Sequence, residues 1–124
     1  MSQALILFAH GSRDPGWAEP FEQLAARVRA IAPGSECRLA FLELMRPDLR
    51  DAAAQLVDGG ATRISVIPIF LGSGGHIRRD LPTLIEELRV RHPRVEFNGA
   101  TPAGEDGAVL DAIAAYCASQ LGRR

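Results

Sequence analysis

Apolar residues fall along this chain in two alternating rhythms, short unbroken runs and stripes spaced by three and four, and the alternation predicts strands and helices in turn. Leu5 to Ala9 is a run of the first kind. It ends at His10-Gly11-Ser12-Arg13-Asp14-Pro15, a cluster of turn formers that closes a strand and prepares a helix. Trp17, Phe21, Leu24, Val28 and Ile31 then recur at steps of four and three, which lines one helical face, and Pro33-Gly34 ends it. Cys37 to Leu42 reads as a second strand that delivers Glu43 at its carboxyl end, ahead of Leu44, Met45, Arg46 and Pro47. Asp48 can cap the next helix, with Leu49, Ala52, Ala53, Leu56 and Val57 as its buried stripe and Gly59-Gly60 as its stop.

The strongest run follows. Ile64, Val66, Ile67, Ile69, Phe70 and Leu71 suit a parallel strand covered on both faces, with regular pairing weakening at Pro68 because proline has no N–H to donate. Gly72, Ser73, Gly74 and Gly75 predict a loop that carries His76, and Asp80, ahead of Leu81 and Pro82, predicts the N-cap of a third helix. Leu81, Leu84, Ile85 and Leu88 have helical spacing up to His92-Pro93. Val95 to Asn98 is a short, more polar strand suited to a sheet edge, and Val109, Leu110, Ile113, Tyr116, Cys117 and Leu121 share a face of a last helix. Four strands alternating with four helices predict one three-layer α/β domain over residues 1–124, with a four-stranded parallel sheet, right-handed crossovers and helices on both faces. In such flavodoxin-like sheets ligands bind beyond the carboxyl ends of the strands.

Composition narrows the possibilities. A chain of 124 residues that is 47% hydrophobic builds one ordinary core. No apolar run approaches the roughly 20 residues of a membrane helix, and the start runs directly into Ala4 to Phe8 without a basic flank, so a cytoplasmic protein is expected. A formal net charge of -1 gives no field strong enough to argue for nucleic acid or a membrane surface, and neither is expected as partner. All 14 basic residues are arginines, which excludes lysine Schiff-base or P-loop chemistry. Arginine forks suit carboxylates and phosphates, although a GC-rich genome also writes arginine freely. Cys37 and Cys117 form no CxxC pair and read as small core residues in a reducing compartment.

Three polar residues stand out against this frame. His10 follows strand one, Glu43 strand two and His76 strand three, so all should emerge on one rim of the sheet. Two imidazoles and a carboxylate form a divalent transition-metal site with positions open to substrate, whereas either histidine alone reads more simply as a hydrogen-bonded structural residue. His92, at a helix end before Pro93, has the structural reading, with a cation there complementing the helix dipole. Arg13, Arg46, Arg78 and Arg79 lie near the candidate ligands and could hold an anionic substrate, their alternative being solvated surface positions. Ser73, Gly74 and Gly75 bring backbone close to such a substrate but match neither GxGxxG nor a Walker motif.

The segments Leu7-Phe8-Ala9-His10-Gly11-Ser12-Arg13, Phe41-Leu42-Glu43 leading to Pro47, and Ile67-Pro68-Ile69-Phe70-Leu71 with Gly75-His76 leading to Asp80-Leu81-Pro82 resemble the small sirohydrochlorin chelatases of the CbiX and SirB type. The resemblance covers nearly the whole chain with its motifs in order. It implies a class II chelatase fold that inserts cobalt or iron, and in some relatives nickel, into sirohydrochlorin in cobalamin or sirohaem biosynthesis. His10 and His76 match the family's two motif histidines and Glu43 its acidic residue. The resemblance also implies a short form that works as a homodimer. Neither a histidine-rich tail nor a cysteine cluster is present, so no iron–sulfur cluster and no organic cofactor is expected. Two other readings stand beside it: a carrier that uses the same residues to bind metal or tetrapyrrole without turnover, and a flavodoxin-like phosphate- or nucleotide-binding module with Gly72 to Gly75 as its cradle and the histidines incidental.

Overall fold

A computed structural model describes residues 2–72 and 75–122, and for 75–78 the backbone. The apolar runs become strands β1 (Gln3–Ala9), β2 (Glu36–Phe41), β3 (Arg63–Pro68) and β4 (Glu96–Gly99). The stripes become helices α1 (Glu19–Ile31), α2 (Leu49–Asp58), α3 (Gly75–Arg91) and α4 (Gly107–Ala118), with single 3-10 turns at Pro15–Ala18 and Ala103–Glu105. The sheet is all parallel in the order β2-β1-β3-β4, so β1 is central and β4 lies at an edge, as its short polar sequence predicts. Register places Leu7 between Leu39 of β2 and Ile67 of β3.

Alternation along the strands divides the core. Ala4, Ile6, Phe8, Ile64, Val66 and Phe97 face α2 and α3 and are sealed by Leu49, Ala52, Ala53, Leu56, Ile85 and Leu88. On the opposite face Leu7 and Cys37 meet Ala25 of α1, and Ala9 and Phe41 meet Ala18. α1 rests on β2 and β1, and the β3 residues of that face, Ser65, Ile67 and Ile69, stay only half-buried. Burial raises the pKa of the Cys37 thiol, with the nearby Arg29 guanidinium acting in the lowering direction. No helix among the described residues is long and apolar enough to cross a membrane.

The two edge strands share a device that the apolar pattern does not reveal. Arg29 of α1 donates to the Cys37 carbonyl of β2 from Nη2 at 2.7 Å and Nε at 3.1 Å. Arg89 of α3 does the same to Phe97 of β4 at 2.9 and 3.3 Å. Each guanidinium thus satisfies an edge carbonyl that would otherwise be open to a foreign strand.

Several boundaries differ from expectation. Trp17 lies in the 3-10 turn, where Asp14 Oδ1 accepts from the Gly16 N–H at 3.0 Å, and α1 begins two residues later. Ile31 is 83% exposed, because α1 meets the sheet through Ala25 with Leu24 and Val28 beside it. β3 ends at Pro68, and beyond the Ile69 N–H donating to the Phe8 carbonyl at 2.8 Å the chain turns away, leaving Leu71 70% exposed. α3 starts at Gly75, so His76 belongs to its first turn rather than to a loop, and Asp80 is an interior residue, not an N-cap. Pro82 is likewise interior and exposed, a position that costs a helix about 3 kcal/mol. The burial of Ile85 and Leu88, on the stripe that continues from Leu81, offsets that cost and carries the helix through. Cys117 is exposed, not a core residue, because α4 buries none of its side chains.

The expected cap of α2 is present: Asp48 Oδ1 accepts from the Asp51 N–H at 2.8 Å. Asp48→Ala is expected to lower the unfolding free energy by about 1 kcal/mol in urea denaturation, and Asp48→Asn to retain most of it. An alanine variant as stable as the parent would remove this hydrogen bond from the list of groups that fix α2.

Candidate functional site

The site grows from pairing that continues where the strands formally end. Beyond Ala9 and Phe41, the Leu42 N–H donates to the Ala9 carbonyl at 2.8 Å and the Glu43 N–H to the His10 carbonyl at 3.1 Å. Two residues 33 apart in sequence are therefore clasped side by side at the rim. Gly11 makes the clasp possible. Its φ of +95° is a backbone conformation that favours glycine, and a Cβ there would overlap the Glu43 carbonyl oxygen.

The segment after Glu43 folds back on the strand: the Met45 N–H donates to the Glu43 carbonyl at 2.8 Å, and the Phe41 N–H to the Pro47 carbonyl at 2.9 Å. Arg46-Pro47 is a cis peptide, and Leu44 has a φ of 67° with its side chain 57% exposed. Glu43, Leu44 and Arg46 line an open groove of about 440 Å³ here, alongside the capping Asp48.

On the other side of β1, the buried Phe70 supports His10, with ring centroids 4.3 Å apart and planes at 44°. Phe70 is itself set by an edge-on contact to Phe8 at 6.2 Å. The Gly104 N–H donates to the Phe70 carbonyl at 2.8 Å, and a Cβ on Gly104 would collide with the Leu71 backbone. Thus the turn before α4 braces the segment on which Phe70 sits. The imidazole of His10 and the carboxylate of Glu43 both belong to exposed residues on this rim, free to meet a ligand from outside.

Of the other sequence-predicted residues, Arg13 and Arg46 are exposed, Arg13 three residues after His10 and Arg46 in the groove with Glu43. Arg79 is exposed on α3. The backbones of Gly75, His76 and Arg78 lie in the opening turns of α3, which begins beyond the carboxyl end of β3; their side chains, and Ser73 and Gly74 altogether, lie outside the described residues. Among the described residues no group of three His, Cys, Asp or Glu side chains converges as a metal site. His92 ends α3, where its N–H donates to the Leu88 carbonyl at 2.9 Å and its ring stands 5.9 Å from that of Phe97, in keeping with a structural role.

Phe70, Gly11 and Gly104 are the site-building residues that periodicity did not single out. Their signal is positional: Phe70 sits two residues beyond Pro68, the partner of Phe8, and so falls beside His10. Gly11→Ala should lower the unfolding free energy by more than Gly60→Ala, by roughly 1 to 3 kcal/mol in excess, since Gly60 has a φ of +101° but open space around it. Equal losses in chemical denaturation would mean that backbone conformation alone, and not contact with Glu43, requires glycine at 11.

Comparison with known proteins gives this rim a context. The family model CbiX matches residues 4–119. Sirohydrochlorin cobaltochelatase from Saccharolobus solfataricus is 32% identical over 115 residues, which cover 88% of this chain and 88% of that protein. Sirohydrochlorin ferrochelatase from Priestia megaterium is 28% identical over 89% of this chain but only 41% of its own length. The chain spans about two-fifths to three-fifths of the first curated relatives it matches. A crystallised CbiX protein from Marinobacter aquaeolei VT8 superposes with a TM-score of 0.86 at 33% identity, over 98% of this chain and 99% of that one. SirB from Bacillus subtilis subspecies spizizenii, in complex with cobalt, superposes with a TM-score of 0.81 at 27% identity over 96% of this chain and 51% of that one. With the family model running from the first strand to the end of the last helix, this chain belongs to the CbiX family.

Proposed function

We propose that this protein is a cytoplasmic tetrapyrrole chelatase, acting as a homodimer, that inserts a divalent metal into sirohydrochlorin for cobalamin or sirohaem biosynthesis. The observation that carries the reading is the clasp that presents His10 and Glu43 together on an exposed rim, in a member of a family whose relatives are sirohydrochlorin cobaltochelatases and ferrochelatases. The metal is a substrate here, cobalt or ferrous iron, with nickel accepted by the same donor chemistry.

Insertion requires two pyrrole protons to leave while the metal ion exchanges its waters for macrocycle nitrogens. A neutral imidazole can ligate the incoming ion and can accept a proton near neutral pH, so His10 and His76 are assigned to both tasks. Glu43, tied to His10 through the backbone, supplies a carboxylate that ligates the ion or orients an imidazole. Phe70 restricts the freedom of the His10 ring and keeps it facing the rim. Sirohydrochlorin carries eight carboxylates, and Arg13, Arg46, Arg78 and Arg79 are assigned to them, with Ser73, Gly74 and Gly75 assigned to substrate binding beside them.

Anaerobic incubation with excess sirohydrochlorin and Co2+, Fe2+ or Ni2+, read by visible absorption against a protein-free control, tests this reading. Multiple turnovers are expected, with His10→Ala and His76→Ala each slower by at least about a hundredfold while remaining folded. A spectral change that stops at one equivalent would replace the enzyme with a carrier. Full turnover in either histidine variant would remove that residue from the site.

A further inference from the structure

The turn after Glu43 holds a leucine in a backbone conformation that suits other residues better. The Met45 N–H donates to the Glu43 carbonyl at 2.8 Å, a hydrogen bond between residues two apart, and Leu44 between them has a φ of 67°. A γ-turn with positive φ at its centre is the rare and strained form, and Leu44 is the one non-glycine residue with positive φ among the described residues. Glycine or asparagine would make the same turn with less strain. Packing does not explain the leucine either. Leu42 packs against the core cluster that includes Phe8, and Met45 against the cluster of Ala9, Ala18 and Phe41, whereas Leu44 is 57% exposed.

What the strain secures is a position. Both ends of the segment are fixed, by the Glu43 N–H donating to the His10 carbonyl at 3.1 Å and by the Phe41 N–H donating to the Pro47 carbonyl at 2.9 Å. Between those anchors Leu44 lines the groove of about 440 Å³ together with Glu43 and Arg46. A carboxylate, an isobutyl group and a guanidinium thus share one short stretch of rim. One residue beyond Phe70, Leu71 is 70% exposed and adds a second apolar residue on the β3 side. Exposed leucines scattered over a surface are ordinary. A strained one beside a candidate metal ligand matches a ligand that combines a flat apolar face with a charged periphery.

We propose that Leu44 is a substrate-contacting residue whose side chain lies against the face of the tetrapyrrole, while Arg46 takes a carboxylate at its edge and Glu43 stays with the metal. This contact rests on the tetrapyrrole substrate proposed above and names the residue that meets its face. The conjugated face is apolar and the carboxylates all lie at the periphery, so arginines can hold the edge but leave the face wet. An apolar side chain on the rim removes that water and gains the burial of both surfaces. A side chain already turned outward by a fixed turn loses less conformational freedom on binding than one that must be ordered. The strain at Leu44 is then stability given up for a preformed contact.

Binding of metal-free sirohydrochlorin to the full chain, followed by the ligand's own visible absorption, tests it in wild type, Leu44→Gly, Leu44→Asn and Leu44→Met. Co2+ titration and urea unfolding accompany each variant. Glycine and asparagine accept positive φ and keep the turn, and methionine keeps an apolar side chain. Leu44→Gly and Leu44→Asn are expected to raise the Kd for sirohydrochlorin at least about tenfold, with Leu44→Met within about threefold of wild type. Both weakened variants should unfold at a urea concentration no lower than wild type and keep its Co2+ affinity. Wild-type binding of sirohydrochlorin by the glycine and asparagine variants would overturn the role of Leu44 and leave the chelatase reading standing. A wild-type protein that does not bind sirohydrochlorin would overturn that reading and the contact together. Equal losses in the methionine and glycine variants would overturn an apolar contact. A loss of Co2+ affinity in step with the loss of sirohydrochlorin would also overturn it, making Leu44 part of the turn that holds Glu43.

Discussion

Two backbone hydrogen bonds hold this site, one from Leu42 to Ala9 and one from Glu43 to His10. They extend the parallel pairing of β1 and β2 past the last regular residue of each strand and set the backbones of His10 and Glu43 next to each other on the rim. Because the link runs through main chain, it does not depend on either side chain being bound or charged. It depends on Gly11, whose hydrogen occupies the space where any other residue would press a methyl group on the Glu43 carbonyl. From that clasp the rest follows outward: Phe70 fixes the His10 ring from the β3 side, and Gly104 fixes Phe70 from the last turn before α4. A rigid rim of this kind suits metal delivery, where ligands must hold an ion and then release it to a stronger macrocyclic donor set.

The same brace that steadies the rim also sets where α4 can go. Gly104 is held at the carboxyl end of β3 before α4 starts, and on the α1 side of the sheet β3 and β4 stay half-buried while β1 and β2 are covered. One face of the sheet is a closed core and the other is half a core.

Much of the fold was legible in the sequence. The apolar runs at Leu5 to Ala9 and Ile64 to Phe70 marked strands because few polar residues interrupt them, although one face of β3 is only half-buried, and the stripe from Leu49 to Leu56 marked α2 together with its Asp48 cap. The start of α3 was not legible, because Asp80 followed by Pro82 imitates a helix entrance while the tertiary contacts of Ile85 and Leu88 carry the helix through it. The face shared by Val109, Ile113 and Cys117 marks a helix, but a shared face does not say which surface meets it, nor whether Cys117 is covered. In the site, His10 and Glu43 could be placed by the rule for strand ends, whereas Phe70 and Gly11 needed the register between strands. Arg29 and Arg89 needed it too, since their partners lie on edge strands eight residues further along the chain.

The central claim is that His10 and Glu43, presented together by that clasp, receive the metal ion. Titration of the protein with Co2+, followed by the visible absorption of the bound ion, tests it without the tetrapyrrole. Wild type should show saturable absorption with an imidazole contribution, weakened in both His10→Ala and Glu43→Gln. Unchanged affinity and spectrum in both variants would contradict it.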